Sequence, residues 1–188
     1  MSESTVHPPS DTPSSLVSAL SSTPVTETSN AVLDHPNVRR VEAALSAAGI
    51  TPEIVALADS APTAAAAAAA LGCDVGAIAN SLVFDADGAP LLVLTSGAHR
   101  ADTTLLAAAV GAARVGRATP DFVRTHTGQP IGGVAPLGHP APVTTLIDRW
   151  LERHPTIWAA AGHPHTVFPT TYTELVRITG ATPVDVEA

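Results

Sequence analysis

The chain of 188 residues has no lysine; all nine of its basic residues are arginine. That absence excludes Schiff-base chemistry, a P-loop lysine and a lysine general base. Aromatic residues make up only 3% of a chain that is 45% hydrophobic, so Ala, Val, Leu and Ile must pack the core. Cysteine occurs once, at Cys73, which excludes an intrachain disulfide and suits a reducing compartment. No stretch reaches the roughly 18 apolar residues that span a bilayer. The N-terminus has neither the basic nor the apolar part of a secretory signal. These features predict a soluble cytoplasmic protein without membrane contacts. The formal charge of −8 argues against broad coating of nucleic acid, DNA included, which needs many cation–phosphate contacts.

What is present divides the chain in two. Residues 1–34 are rich in Ser, Thr and Pro and carry Glu3, Asp11, Glu27 and Asp34 without a basic residue. Such a segment buries too little surface to offset its ordering entropy, and it reads as a disordered tail with at most a weak helix near Ser15–Leu20. Residues 35–188 read as one folded domain, long enough for a core without disulfides or structural metal. Val38, Val41 and Leu45 predict a helix from Pro36, stopped at Gly49. Thr51–Ala58 alternates like a strand. Ser60 is expected to cap a helix with Pro62 in its first turn, running through Ala64–Ala70 to Gly72. The alanines read as strong helix formers, with a close-packing face as the functional alternative.

Ala77–Phe84 and Pro90–Thr95 read as a hairpin turning at Asp85-Ala86-Asp87-Gly88. Further helices are expected at Thr103–Val110, Pro120–Thr125 and Tyr172–Thr179, the last closed by Gly180. Strands are expected at Val143–Ile147 and Ile157–Ala160. Strands and helices do not alternate strictly, which favours an α+β fold over a doubly wound sheet.

Three stretches carry residues that packing alone does not demand. Ala79-Asn80-Ser81-Leu82 puts polar groups at the start of an apolar strand. Gly128–Gly138 holds four glycines and two prolines in eleven residues, a shaped loop whose backbone can approach a ligand closely. Ala160-Ala161-Gly162-His163-Pro164-His165 presents two imidazoles at a strand end. Pro164 disfavours regular pairing there, and no partner at characteristic spacing completes a zinc site, so no metal is expected. Ser–His–Asp sets can be drawn from Ser96, His99 and Asp102, or from Ser81 with Asp148, but no nucleophile elbow supports them. Cys73, with no His or Arg beside it, reads as an inert thiol. Asp148 directly follows the apolar run Val143–Ile147 and reads either as an anchor for an amine or a backbone loop, or simply as a polar residue at a strand end.

In this order, Ile78–Phe84, Gly132–Gly138, Asp148, Ala161-Gly162 and Glu174–Ala181 resemble the YbaK/prolyl-tRNA-synthetase-associated family of aminoacyl-tRNA deacylases. The resemblance runs from about His35 to Pro183. It implies an α+β domain with a mixed, partly barrel-like sheet and flanking helices. It also implies hydrolysis of the ester of a mischarged tRNA, without metal, cofactor or covalent nucleophile. On that resemblance Asn80, Gly132 and Gly133 carry the chemistry, the loop amides forming a hole for negative charge. Ser81, Arg100, Val134, Ala135, Pro136, Gly138, Asp148, Ala161, Gly162 and His163 would bind substrate. Asn80 stands where the family typically has lysine; it keeps two donors and an acceptor but no charge. Arg100 is the candidate to replace part of that charge, and Arg114 and Arg117 to meet the tRNA backbone. The expected partner is the aminoacyl-tRNA acceptor end, with an aminoacyl-tRNA synthetase as a further candidate. A non-catalytic binding module of the same fold, and a different small-molecule hydrolase, remain the alternatives.

Overall fold

The computed structural model describes residues 30–61 and 63–187. The tail reading therefore lies outside the described residues up to position 29, as does the expected place of Pro62. Residues 30–33 are helical, so helical structure begins before His35.

Local capping explains the helices. Helix α1 (Pro36–Ala47) has proline in its first turn, and His35 Nδ1 accepts the Asn37 N–H. Its Val38, Val41 and Leu45 face the core. Helix α2 (Ala64–Leu71) is capped by Thr63, not Ser60: Thr63 Oγ1 accepts the Ala66 N–H at 3.2 Å, one residue ahead of the helix. Helix α3 (Thr103–Val110) is capped by Asp102. Helix α4 (Pro120–Thr127) runs two residues past its expected end, to a left-handed Gly128. Helix α5 (Tyr172–Thr179) ends at Gly180, as expected.

The strands are β1 (Val55–Ala56), β2 (Ile78–Ala86), β3 (Ala89–Ser96), β4 (Val115–Arg117), β5 (Thr144–Asp148), β6 (Ile157–Ala160), β7 (Thr166–Thr170) and β8 (Thr182–Val184). The expected strand over Thr51–Ala58 shrinks to two paired residues, Val55 opposite Val167 and Ala56 opposite Thr166. The hairpin turn is also tighter than expected. Only Asp87 and Gly88 leave the ladder, both at positive φ (52° and 89°), as a two-residue turn between twisted strands requires.

The eight strands form one mixed sheet in the order β1-β7-β6-β2-β3-β5-β8, with β4 added on β2. The ends of this order, β1 and β8, are not paired to each other, so the sheet is not a closed barrel. Strand β3 lies at its centre and is buried on both faces. Leu92 and Leu94 join the larger core with Leu45, Ile147 and Phe168, while Leu91 and Val93 join the smaller one with Leu106, Val115 and Leu146. A strand covered on both sides reads as a continuous apolar run, as Leu91–Leu94 does.

Strand β2 positions the candidate site. On one side its Ala79–Ala86 pair with β3. On the other it pairs with β6 in parallel at Ile78–Ala79 and with β4 antiparallel at Phe84–Ala86. Asn80 to Val83 have no strand partner on that second side. The Gly97 N–H donates to Ile78 O, and alternation along the strand then turns the main chain of Ser81 toward this gap.

Candidate active site

A cleft of about 580 Å3 opens at the gap in β2. Asn80, Ser81 and Leu82 form one wall, and Ile131, Gly132 and Val134 of the glycine-rich loop form another. His99 and Arg100, after β3, stand at its side, and Trp158 and Ala160 of β6 also line it. Ala64, Ala65 and Ala67 of α2 complete the wall, so the alanine block serves as a small-residue face as well as a helix former. Asn80, Ser81, Arg100, Gly132 and Val134 of the expected site are thus brought together. Among the described residues no carboxylate lines the cleft, and Arg100 is its only arginine. The Asn80 amide makes no hydrogen bond to another described residue, and Ser81 Oγ is buried without a partner among them.

The loop is held from beneath by a residue that sequence reasoning did not single out. Gln129 is fully buried; its Oε1 accepts the Ala135 N–H at 2.6 Å and its Nε2 reaches Leu137 O at 3.5 Å. Thr127 Oγ1 in turn accepts the Gln129 N–H. The only sequence signal was a long amide side chain between Gly128 and Pro130. His139 Nε2 donates to Ala135 O at 2.9 Å, which pins the far end of the loop. Burial pushes the His139 pKa down, partly offset by that carbonyl.

Not every loop amide is free. The Gly133 N–H donates to Pro130 O, and the Ala135 N–H is engaged by Gln129. The amides of Gly132 and Val134 have no acceptor among the described residues. Gly133 is buried, and a Cβ there would lie 2.6 Å from the backbone of His163. Its smallness lets the loop dock on the His163–Pro164 turn.

The remaining expected residues lie behind the cleft. Ala135 and Pro136 are buried within the loop, and Gly138 packs on Val41 of α1. Ala161 is buried with its N–H on Thr166 O, and a Cβ on Gly162 would meet Asn37 O at 2.9 Å. His163 sits between the rings of His35 and His165, with centroids 5.0 and 5.5 Å away. Burial and these two imidazoles lower its pKa. Asp148 is buried and accepts from the Ser96 and Trp150 backbones at 3.0 and 2.9 Å, besides meeting His99 Nδ1 at 2.9 Å. It anchors backbone and a ring, away from the cleft itself.

Neither Ser–His–Asp set is assembled: Ser81 Oγ has no hydrogen-bond partner among the described residues, and His99 Nε2 faces Glu187 at 3.4 Å. Ser96 Oγ donates to Gly76 O, Asp102 caps α3, and His99 turns to Asp148. Desolvation raises the Cys73 pKa, away from a reactive thiolate. Among the described residues no group of three His, Cys, Asp or Glu side chains is arranged to hold a metal ion. No described helix is long and apolar enough to cross a membrane. Beside the cleft, an apolar chamber of about 280 Å3 shares Ser81, Leu82, Ile131, Gly132 and Val134 and is bordered by Arg117. Arg114 is exposed near the hairpin turn, where Asp87 accepts its N–H.

Residues 58–178 match the aminoacyl-tRNA editing domain family. A solved structure of a candidate trans-editing enzyme for prolyl tRNA synthetase is 40% identical with a TM-score of 0.77, covering 82% of this chain and 98% of that one. A scaffold protein from computational design by epitope backbone grafting is 37% identical at a TM-score of 0.77, over 81% of this chain and 98% of the other. The hypothetical protein APE2540 is 29% identical with a TM-score of 0.72, covering 78% and 98%. A search of curated proteins gave no match. The glycine-rich loop, the β2 gap and these likenesses over nearly the whole folded part agree: the chain belongs to the aminoacyl-tRNA editing domain family, of the YbaK/prolyl-tRNA-synthetase-associated kind.

Proposed function

We propose that this protein hydrolyses the ester of a mischarged aminoacyl-tRNA, acting in trans and without metal. One observation carries the reading. The gap in β2 at Asn80–Val83 faces a loop whose Gly132 and Val134 amides have no acceptor among the described residues. Backbone donors held by a rigid loop are what a developing oxyanion needs.

In this reading the terminal adenosine and its aminoacyl ester enter the cleft between Asn80 and the loop. Water, or the vicinal ribose hydroxyl followed by water, adds to the ester carbonyl. The Gly132 and Val134 amides meet the oxyanion. The carbonyl–ribose oxygen bond then breaks, and the proton from the nucleophile passes to the departing ribose oxygen. Free amino acid and tRNA result. Asn80 supplies a neutral donor and acceptor to place the ribose or the water, while Arg100 meets phosphate at the rim. A prolyl-tRNA synthetase is the natural partner to test, because the 40% identical relative is described by reference to that enzyme.

A second reading, a binding module without turnover, is favoured by Asn80 itself. A charge-assisted contact is worth about 1.5–3 kcal/mol, and a neutral amide forfeits much of it. Single-turnover deacylation of mischarged tRNAs (Cys-, Ala-, Ser- and Pro-tRNA among them) separates the two. Hydrolysis by wild type that is lost in Asn80→Ala supports the enzyme. Inactive wild type, with activity gained in Asn80→Lys, supports the binding module.

A further inference from the structure

A second cleft, of about 360 Å3, opens beside the first and shares His99 with it. Its distinctive feature is a cluster of three side chains, with the His99 ring tilted by 52° to the Trp150 ring and Arg153 lying over the indole. The His99 ring lies 4.8 Å from the Trp150 ring, and the Arg153 guanidinium carbon lies 3.5 Å from the same indole. Trp150 is 37% exposed, one of three large hydrophobic side chains so exposed among the described residues. It is nevertheless held firmly, since the buried Asp148 carboxylate accepts its backbone N–H and binds His99 Nδ1. A large ring, fixed in place yet open to solvent in a chain so poor in aromatics, is a platform and not core material.

The charges around it are equally specific. The guanidinium groups of Arg149 and Arg153 in this cleft, and of Arg100 in the first, have no carboxylate partner among the described residues, although Arg149 donates to Pro183 O and the Arg100 backbone N–H to Glu187; Arg39 elsewhere pairs with Asp34 and Glu42. Asp185 and Glu187 line the same cleft. A surface made only for phosphate would exclude carboxylates. Cations for a phosphate, an aromatic–guanidinium stack for a base and carboxylates for an exocyclic amine together fit one nucleotide.

We infer that the His99–Trp150–Arg153 cleft binds the single-stranded nucleotide next to the terminal adenosine of the acceptor strand, its base stacked on Trp150 and Arg153. This rests on reading the first cleft as the site of the terminal aminoacyl-adenosine. The wall shared through His99 sets the two clefts side by side, as successive nucleotides of one strand require.

The test uses the full chain and a fluorescently labelled, uncharged RNA stem–loop with a tRNA-like single-stranded 3′ end. A second RNA lacks only the base next to the terminal adenosine. Binding is read by anisotropy. Trp150→Ala should weaken binding of the intact RNA about tenfold or more, as loss of one stacked base does, and Trp150→Phe should restore most of it. On the abasic RNA, wild type and Trp150→Ala should bind alike. Equal effects of Trp150→Ala on both RNAs, or none on either, overturn the inference, as does failure of wild type to bind the intact RNA. Should Trp150→Ala not fold, Arg153→Gln on the same two RNAs decides the question. Turnover is scored separately on the mischarged ester. Base-dependent binding without hydrolysis sinks the proposed reaction and leaves the nucleotide site standing. Hydrolysis with no base-dependent effect of Trp150→Ala does the reverse.

Discussion

From a fully buried position, Gln129 accepts the Ala135 N–H at 2.6 Å and so ties the start of the glycine-rich loop to its middle. That bond consumes the Ala135 amide, whereas the flanking Val134 amide has no acceptor among the described residues. Leucine at position 129 keeps the approximate volume and removes the acceptor. Gln129→Leu should lose about 1–3 kcal/mol of stability, the usual cost of an unsatisfied buried donor, measured by urea denaturation. If the loop amides serve the oxyanion, kcat should fall more than KM rises. Unchanged kcat in a folded variant would contradict that part for the loop.

Gly133→Ala probes the docking of the loop. The new Cβ would lie 2.6 Å from the His163 carbonyl carbon and 2.7 Å from Pro164 N, backbone atoms that cannot rotate away. Forcing extra volume into a packed contact costs about 1–3 kcal/mol. Gly132→Ala is the matched comparison, because no atom lies within 4 Å of a Cβ there and the strain comes only from its φ of +85°. Thermal unfolding should show the Gly133 variant affected through packing, with amide exchange in the His163–Pro164 turn raised only for that variant.

Acid should loosen the same loop. Burial lowers the pKa of His139, and burial with His35 and His165 lowers that of His163, both from 6.5. Below 6.5 the unfolded chain then binds more protons than the folded one, so stability is fully present above that pH and declines as pH falls through the lowered values. Denaturation midpoints compared between pH 7.5 and pH 5.5 should show the decline, and His139→Phe should reduce it. An undiminished decline in the variant would assign the effect to other groups.

Asp148 holds three partners together, and its removal should register at a distance. Asp148→Ala strands the Ser96 and Trp150 amides and releases the His99 ring. A loss of about 1–3 kcal/mol per stranded buried amide follows, read by chemical denaturation. The emission of Trp150 should also shift, because its ring loses an oriented neighbour 4.8 Å away.

Much of this was legible in the residue order. Helices at Thr103–Val110 and Tyr172–Thr179 and the strand at Ile157–Ala160 match the expectation, because caps, glycine stops and helical spacing act within a few residues. Strands β4, β7 and β8 were not legible. Each has three to five residues, and β7 contains Pro169, which argues against a strand in any local reading. Its pairing comes from β6 and from two residues of β1 more than a hundred positions earlier. At the site, the sequence pointed to Asn80, Ser81, Arg100 and the glycine loop, and these do meet at one cleft. It did not separate lining residues from packing ones, nor show that His99 belongs to both clefts.

By itself, then, the sequence determined the chemistry on offer: no lysine, a neutral Asn80 at the opening of a strand, and a loop whose amides can be exposed. Those are properties of residue type and of contacts between near neighbours. Only the tertiary structure decided which amides stay free, since the choice turns on Gln129 reaching Ala135 and on Gly133 docking against His163. It also decided that Asp148 orients His99, a contact between residues 49 positions apart. Such contacts exist only once the chain has folded, and no periodicity in the sequence announces them.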